Sequence, residues 1–336
     1  MSAKIIGALV ALLLVLSGIY LLFGSPVSDE EKLMRAERNM RALDSYGVDI
    51  MTSTEFVGAK EEVKFQGNVL VDNEEKAGRG DGELTILTEG VTMLFEGSLT
   101  YVDDNLYARV DTLPAAPFLP VEIRDIRGKE VLIVENLMSE VDSLLGEISE
   151  EREIEDLTVE GIMKDLEEYS MALWEEGAIK VMDVKIDDLD GEIVRKYELA
   201  VEGDVVNDAT KELMETYEVY EMLENMLGLK EGEFAEEMEK ELKDAYEDVE
   251  LYVWSDGEHI LKVKSLSTTK ISSEDLEGLA KEDDLPREAR TVTEIRYHSF
   301  NEDFEIEAPE EYLILEEVLR GFSSPAFGPP EREMIF

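Results

Sequence analysis

The 336-residue sequence has no cysteine and only two histidines. Without thiols it cannot form disulfides, thiolate metal sites, a cysteine nucleophile or a lipid attachment to cysteine. His259 and His298 have no partner at metal-ligand spacing, so we interpret both as surface histidines. The H-E-x-x-H, G-x-S-x-G, P-loop and G-x-G-x-x-G patterns are absent too. These absences predict a protein that is not an enzyme and that needs no cofactor and no metal.

Basic residues are also scarce, with 32 Lys and Arg against 81 Asp and Glu and a formal charge of −49. This field repels phosphates, so no nucleic-acid partner is expected. The simplest interpretation is a solvated acidic surface, with weak cation binding as the alternative. Residues 187–191 are similar to a calcium loop, but the matching register places Ile186 and Tyr197 where Asp and Glu are needed. A hairpin turn is therefore preferred there.

One long apolar run, residues 5–23, contains no charge and as a helix would span about 28 Å. Lys4 precedes it and acidic residues follow, which favours a cytoplasmic N-terminus and an extracytoplasmic bulk. The prediction is a retained single-pass anchor in the cell membrane. A cleaved signal peptide is the main alternative and a pilin-type helix a remote one. A lipoprotein anchor is excluded, because Ile19 stands where a lipobox requires cysteine.

Beyond the anchor, hydrophobic periodicity predicts a helix to about residue 44 and then mostly strands. The Asp190-Gly191 and Asp256-Gly257 pairs indicate hairpin turns, and 78–82 is also interpreted as a turn. The predicted strands are 46–56, 63–71, 82–88, 91–102, 105–112, 129–135, 178–188, 192–203, 246–255, 258–269, 288–300 and a final edge strand at 303–308. The predicted helices lie within 137–176, 208–227 and 231–245.

Strands and helices in separate blocks, without βαβ alternation, predict the α+β class. We expect a large curved antiparallel sheet, a half-barrel of about 11–12 strands, with helices packed on the concave face and one N-terminal transmembrane helix. The expected division is a cytoplasmic stub and anchor at 1–25, one ectodomain at 26–315 and a mobile C-terminal tail at 316–336. A split into two domains near 136–178 is the alternative.

The hairpin YVWSDGEHILKVKSLS at 252–267 and the passage YHSFNEDFEIEAP at 297–309 carry a family resemblance. Together with the element order over 29–312, they resemble the LolA-like and LppX/LprG-like superfamily of envelope lipoproteins and lipoprotein carriers. The resemblance implies an open half-barrel closed by helices, with an apolar cavity that holds acyl chains. The sequence departs from that pattern in lacking the lipobox cysteine, which favours a tethered ligand holder over a diffusing carrier.

This resemblance makes the apolar stripes of the predicted helices candidates for lining a ligand cavity, although plain core packing is the preferred explanation of these stripes. The candidate residues are Met163, Leu166, Tyr169, Leu213, Tyr217, Tyr220, Phe234, Met238 and Leu242. The predicted function is a membrane-anchored extracytoplasmic binding protein for a lipid or another apolar ligand. The alternative is a surface interaction or sensory domain, without a cavity, that binds a protein partner at the cell surface.

Overall fold

The computed structural model describes residues 29–57, 61–88, 91–113, 126–137, 177–203, 249–270 and 288–315, with a few single positions between them. The predicted anchor at 5–23, the tail at 316–336 and nearly all of the three predicted helical regions lie outside the described residues.

One helix with defined bounds, α1, spans Asp29–Arg41. Leu33 and Ala36 recur at helical spacing on one stripe, and both side chains are fully buried against the sheet. An ion pair four residues apart, between Glu37 and Arg41, supports the last turns. The stripe therefore fixes which side of α1 packs on the sheet.

Twelve strands form one sheet. They are β1 Ser45–Val57, β2 Glu62–Asp72, β3 Ala77–Thr88, β4 Val91–Val102, β5 Asn105–Thr112, β6 Glu130–Val134, β7 Ile179–Leu189, β8 Glu192–Val201, β9 Val249–Ser255, β10 Ile260–Lys270, β11 Glu288–His298 and β12 Leu313–Ile314. The spatial order is β12-β6-β5-β4-β3-β2-β1-β11-β10-β9-β8-β7. All neighbours are antiparallel except β12 and β6, which are parallel.

The first strand occupies the middle of the sheet, because β1 pairs with β2 on one side and with β11 on the other. Strands β2–β6 follow as a meander, and β7–β11 return along the other wing. The β7–β8 hairpin turns at Asp190 and Gly191, whose φ angles are +57° and +94°. Two positive φ values are what a two-residue type I′ turn requires, so the predicted hairpin at this pair is confirmed.

The predicted α+β class is wrong for the part of the chain that the structure describes. That part is predominantly β, and α1 is its one helix of defined length, so helices packed on a concave face are not supported. The transmembrane helix is not supported either. Within the described ranges, no helix combines the length and the apolarity needed to cross a membrane. Apolar and polar residues alternate over almost every described segment, and this alternation is the pattern that predicts strands.

Two smaller predictions are also wrong. Residues 303–308 form no strand, because Ile306 packs on a small cluster around Tyr107 and Leu132 instead of pairing along an edge. The edge strand is β12, further along the chain. The glycine-rich segment 78–82 lies inside β3, and the preceding turn is at 73–76, where Asp72 accepts a hydrogen bond from the Glu75 amide at 2.9 Å.

Candidate functional site

The register of the sheet assigns side chains to two opposite faces, since directly paired residues point to the same side. One row crosses ten strands from β5 to β7. It reads Val110, Gly97, Gly82, Gly67, Ile50, Ile295, Val263, Val253, Tyr197 and Val184. This row has no charged residue, and we call its side of the sheet the apolar face.

The two halves of the apolar face differ in packing. From β11 to β8, Ile295, Val263, Val253 and Tyr197 are buried in the main core together with Leu33 of α1. On the β2–β4 side, the same row continues as glycine. The core therefore fills one wing of the apolar face, while the other wing has no side chain in this row.

Five glycines of the apolar face leave part of the β2–β4 wing with few side chains. They are Gly67, Gly78, Gly80, Gly82 and Gly97. A methyl group at Gly78 or Gly80 would meet its nearest neighbour at 3.5–3.6 Å, an ordinary contact. At Gly67 and Gly82 the Phe65 ring lies over the backbone, 3.0–3.2 Å from where a Cβ would be. These five positions, all partly exposed, form a strip of backbone that we call the glycine floor, and the Phe65 ring covers part of it.

Apolar side chains border the glycine floor in two rows. They are Phe65, Leu84 and Phe95 in the first row and Val63, Ile86 and Met93 in the second. All six are partly exposed, and we call them the apolar panel. On the other side of the floor, Leu99 of the same face is 54% exposed. The result is a partly exposed apolar surface in which the apolar panel and Leu99 border the glycine floor.

Two buried hydrogen-bond donors in the main core have no partner in the part of the chain that the structure describes. These are the Tyr197 hydroxyl and the Trp174 indole nitrogen. Nearby, burial and the neighbouring Tyr46 ring raise the pKa of Tyr297, so its phenol stays neutral at physiological pH. The core on this face is therefore apolar, and two of its buried donors have no partner among the described residues. A buried donor without a partner lowers stability.

The opposite face is polar and contains a cleft of about 790 Å³. Its carboxylates come from strands β1, β3, β4, β5 and β11. They are Asp49, Asp81, Glu83, Glu96, Asp111 and Glu294, and Arg296 is the one cation among the described residues that line the cleft. This polar-face cleft attracts cations or cationic segments. Within the described residues, no group of three or more potential ligands is arranged to hold a metal ion.

A chain of charged and aromatic groups continues from the polar-face cleft across β8–β11. Lys262 bonds Glu294 at 2.8 Å, and Arg296 bonds the same carboxylate at 3.0 Å. Burial raises the pKa of Glu294, but these two hydrogen bonds outweigh burial and hold that pKa below its ordinary value. Lys262 also lies 5.1 Å above the Trp254 ring. This chain cross-links neighbouring strands on the polar face.

The Trp254 indole donates a hydrogen bond to Asp187 at 2.8 Å. This bond lowers the pKa of the Asp187 carboxyl. Lys196 lies above both Tyr252 and Trp254, at 4.1 Å and 5.0 Å from the ring centroids. These contacts give Asp187 a structural role, which agrees with the preference for a hairpin turn over a calcium loop.

The two histidines have separate contacts. His259 stacks on Phe300 at 4.7 Å, and its Nδ1 is 3.6 Å from Asp256. The His298 ring covers Gly47, its Nδ1 is 3.1 Å from the Ser299 hydroxyl, and its Nε2 is 3.6 Å from Asp49. Each position supports local packing and polar contacts at a strand end.

All nine residues predicted to line a ligand cavity lie outside the described residues, so the structure does not test that prediction. They are Met163, Leu166, Tyr169, Leu213, Tyr217, Tyr220, Phe234, Met238 and Leu242. Sequence reasoning missed the glycine floor. Its signal was present, because Gly67, Gly82 and Gly97 recur at intervals of fifteen residues, the repeat of one strand plus one turn in this meander.

No protein-family model matches the chain, and no curated protein matches it. Among solved structures, it is similar to a DUF1329 family protein from Desulfovibrio piger at 12% identity, over 81% of this chain and 92% of that one. The TM-score of that weak neighbour is 0.20, so it carries no argument about fold or function. The LolA-like resemblance therefore remains a prediction from the sequence.

Proposed function

We propose that this chain is a non-enzymatic binding protein for a lipid or another apolar ligand, and that the ligand lies on the glycine floor against the apolar panel. The observation that carries the proposal is the β2–β4 wing of the apolar face, where the buried core row continues as glycine and the six side chains of the apolar panel are partly exposed. Large exposed apolar surfaces in a folded protein mark sites of binding.

The chemistry of the floor suits a methylene chain. Glycine backbone allows close approach, and beyond the Phe65 ring, at Gly78 and Gly80, only ordinary contacts border the floor. Each buried methylene contributes about 0.8 kcal/mol, so a chain covering several residues of β3 would bind without any charged contact. Phe65 and Phe95 supply flat walls for dispersion contacts.

The test is mass spectrometry of organic extracts from the purified full-length chain, with a matched pair of variants on β4. Phe95 belongs to the apolar panel, whereas its neighbour Leu94 points to the polar face. We expect an apolar compound to co-purify with wild type and with Leu94→Asn, and to be depleted several-fold in Phe95→Asn. Recovery of no such compound, or equal depletion in both variants, would refute the proposal.

The polar-face cleft favours a second function, the interaction domain that was the alternative from sequence. Six carboxylates around one arginine would bind a cationic protein surface. Chemical crosslinking of the full-length chain in its native cells tests this proposal. Asp81→Asn should reduce a crosslinked partner that is retained by Asp103→Asn, which changes a turn outside the cleft. A partner insensitive to Asp81→Asn would contradict it.

A further inference from the structure

A second, smaller cleft of about 330 Å³ lies where the β7–β8 hairpin meets α1 and the turn between β9 and β10. Its lining residues are Lys32, Ile186, Ile193, Val194, Arg195, Asp256 and Gly257. The volume is at the lower end of the range for small-molecule sites. This hairpin cleft is distinct from the apolar panel, which lies on the other wing of the sheet.

Two isoleucines give the hairpin cleft an unusual surface. Ile186 and Ile193 are each 80% exposed, the highest exposures among the large hydrophobic side chains that the structure describes. Ile186 lies directly opposite Arg195 in the β7–β8 ladder. Ile193 is two residues before Arg195 on β8 and therefore on the same face. An apolar pair and a guanidinium thus share one side of the hairpin.

The charge of Arg195 has no partner among the residues that the structure describes. Among the described residues it forms no ion pair and no side-chain hydrogen bond, although the whole chain has 81 acidic residues against 32 basic ones. The other cation, Lys32, pairs with Asp29 at 2.7 Å. Asp256 is occupied at its own turn, because its Oδ1 accepts the amides of Glu258 and His259, both at 2.6 Å.

We propose that the hairpin cleft binds a small amphipathic anion, with a carboxylate on Arg195 and an alkyl group on Ile186 and Ile193. A guanidinium presents two parallel N–H donors that match a carboxylate. At physiological salt, the screening length is about 8 Å, so the nearby guanidinium outweighs distant carboxylates of the protein. The carboxylate that lines the cleft itself, Asp256, is bonded to the backbone amides of its own turn. The exposed isoleucines lose contact with water when the alkyl group covers them.

Calorimetric titration of the full-length chain with octanoate and with octanol, at physiological salt, tests this site. The overall field of the protein disfavours the anion, so tighter binding of octanoate requires a local cation. We expect octanoate to bind about ten-fold more tightly than octanol, which is the contribution of one charged hydrogen-bonded pair.

The variants assign the binding to this cleft. Arg195→Gln should remove the preference for octanoate, and Ile193→Ser should weaken both ligands. Arg79→Gln, on the polar face of β3, is the matched control and should change neither affinity. The side chains altered in the cleft are exposed, so the fold should tolerate both changes. Equal affinity for the two ligands, or octanoate binding unaffected by Arg195→Gln, would overturn the proposal. The result of this titration does not depend on whether a lipid is recovered from the apolar panel.

Discussion

Among the glycines that the structure describes, Gly97 comes closest to the backbone of a neighbouring strand, and it gives the sharpest prediction about stability. At the irregularity between β4 and β5, a methyl group on Gly97 would lie 2.4 Å from the Arg109 carbonyl oxygen. Ordinary contacts begin near 3.4 Å, so the two strands would have to separate by about 1 Å. Gly97→Ala should therefore distort the ladder between β4 and β5.

Gly80 is the matched control, because it also lies in a strand on the apolar face. Its added methyl group would meet Val69 Cγ2 at 3.5 Å without displacement. Gly80→Ala should be neutral or stabilising by about 0.4–1 kcal/mol, through lower entropy of the unfolded chain. The same entropic gain applies to Gly97→Ala, so the difference between the two variants isolates the effect of the clash.

The clash has two costs. Overpacking against backbone costs about 1–3 kcal/mol, and a weakened ladder hydrogen bond adds about 0.5–1.5 kcal/mol. After the entropic gain is subtracted, Gly97→Ala should lose about 0.5–4 kcal/mol, with a central value of about 2 kcal/mol. At about 2–4 °C per kcal/mol, this central value lowers the melting temperature by roughly 4–8 °C.

Thermal unfolding followed by circular dichroism measures both variants against wild type. We expect Gly97→Ala to melt below wild type and Gly80→Ala to melt at or slightly above it. If Gly97→Ala melts as high as Gly80→Ala, the close approach of β4 and β5 is absent and the register assigned to this bulge is wrong.

Three further predictions concern single side chains. The pKa of Glu294 is depressed in the folded state. The stability that its ionised carboxylate contributes is therefore complete above the unfolded pKa of about 4.3 and is lost as pH falls through the lower folded value. Glu294→Gln should make the melting temperature fall less steeply with decreasing pH, and an unchanged slope at acid pH would contradict this. Chemical denaturation should show that Tyr197→Phe leaves stability unchanged or raises it. By the same assay, Tyr101→Phe should lose about 1 kcal/mol, because it removes the hydrogen bond to Asp104. Equal losses in the two variants would mean that the Tyr197 hydroxyl has a partner. Trp254→Phe should lower the free energy of unfolding by about 2–4 kcal/mol in the same assay, through the lost indole hydrogen bond and cation–π contacts. An unchanged free energy would mean that these contacts on the polar face do not stabilise the fold.

Local patterns predicted the strands well, because alternation and turn chemistry act over a few neighbouring residues. The Asp190-Gly191 pair illustrates this, since positive φ angles at both positions select those two residue types. The errors arose where local chemistry permits two answers. Glycines at 78–82 suit a turn or a strand, and the pairing of β3 with both β2 and β4 determines which one forms.

The functional surfaces depended on contacts far apart in sequence. Ile306 has a strand-like pattern, yet its packing against Tyr107 depends on how the chain crosses the sheet. The prediction of the cavity residues depends on helical periodicity in segments that lie outside the described residues. By contrast, the glycine floor required the register of three strands, which no single segment specifies.

By itself, the sequence determined that this protein is extremely acidic, lacks thiol chemistry and contains many alternating strands. Composition excludes whole classes of sites, and the period of two is a local property of the backbone. Only the tertiary structure decided that β1 is the centre of the sheet, that the glycines meet in one row and that Arg195 lies beside two exposed isoleucines. Those outcomes depend on pairing between distant strands, where hydrogen bonds and side-chain packing select one register from many.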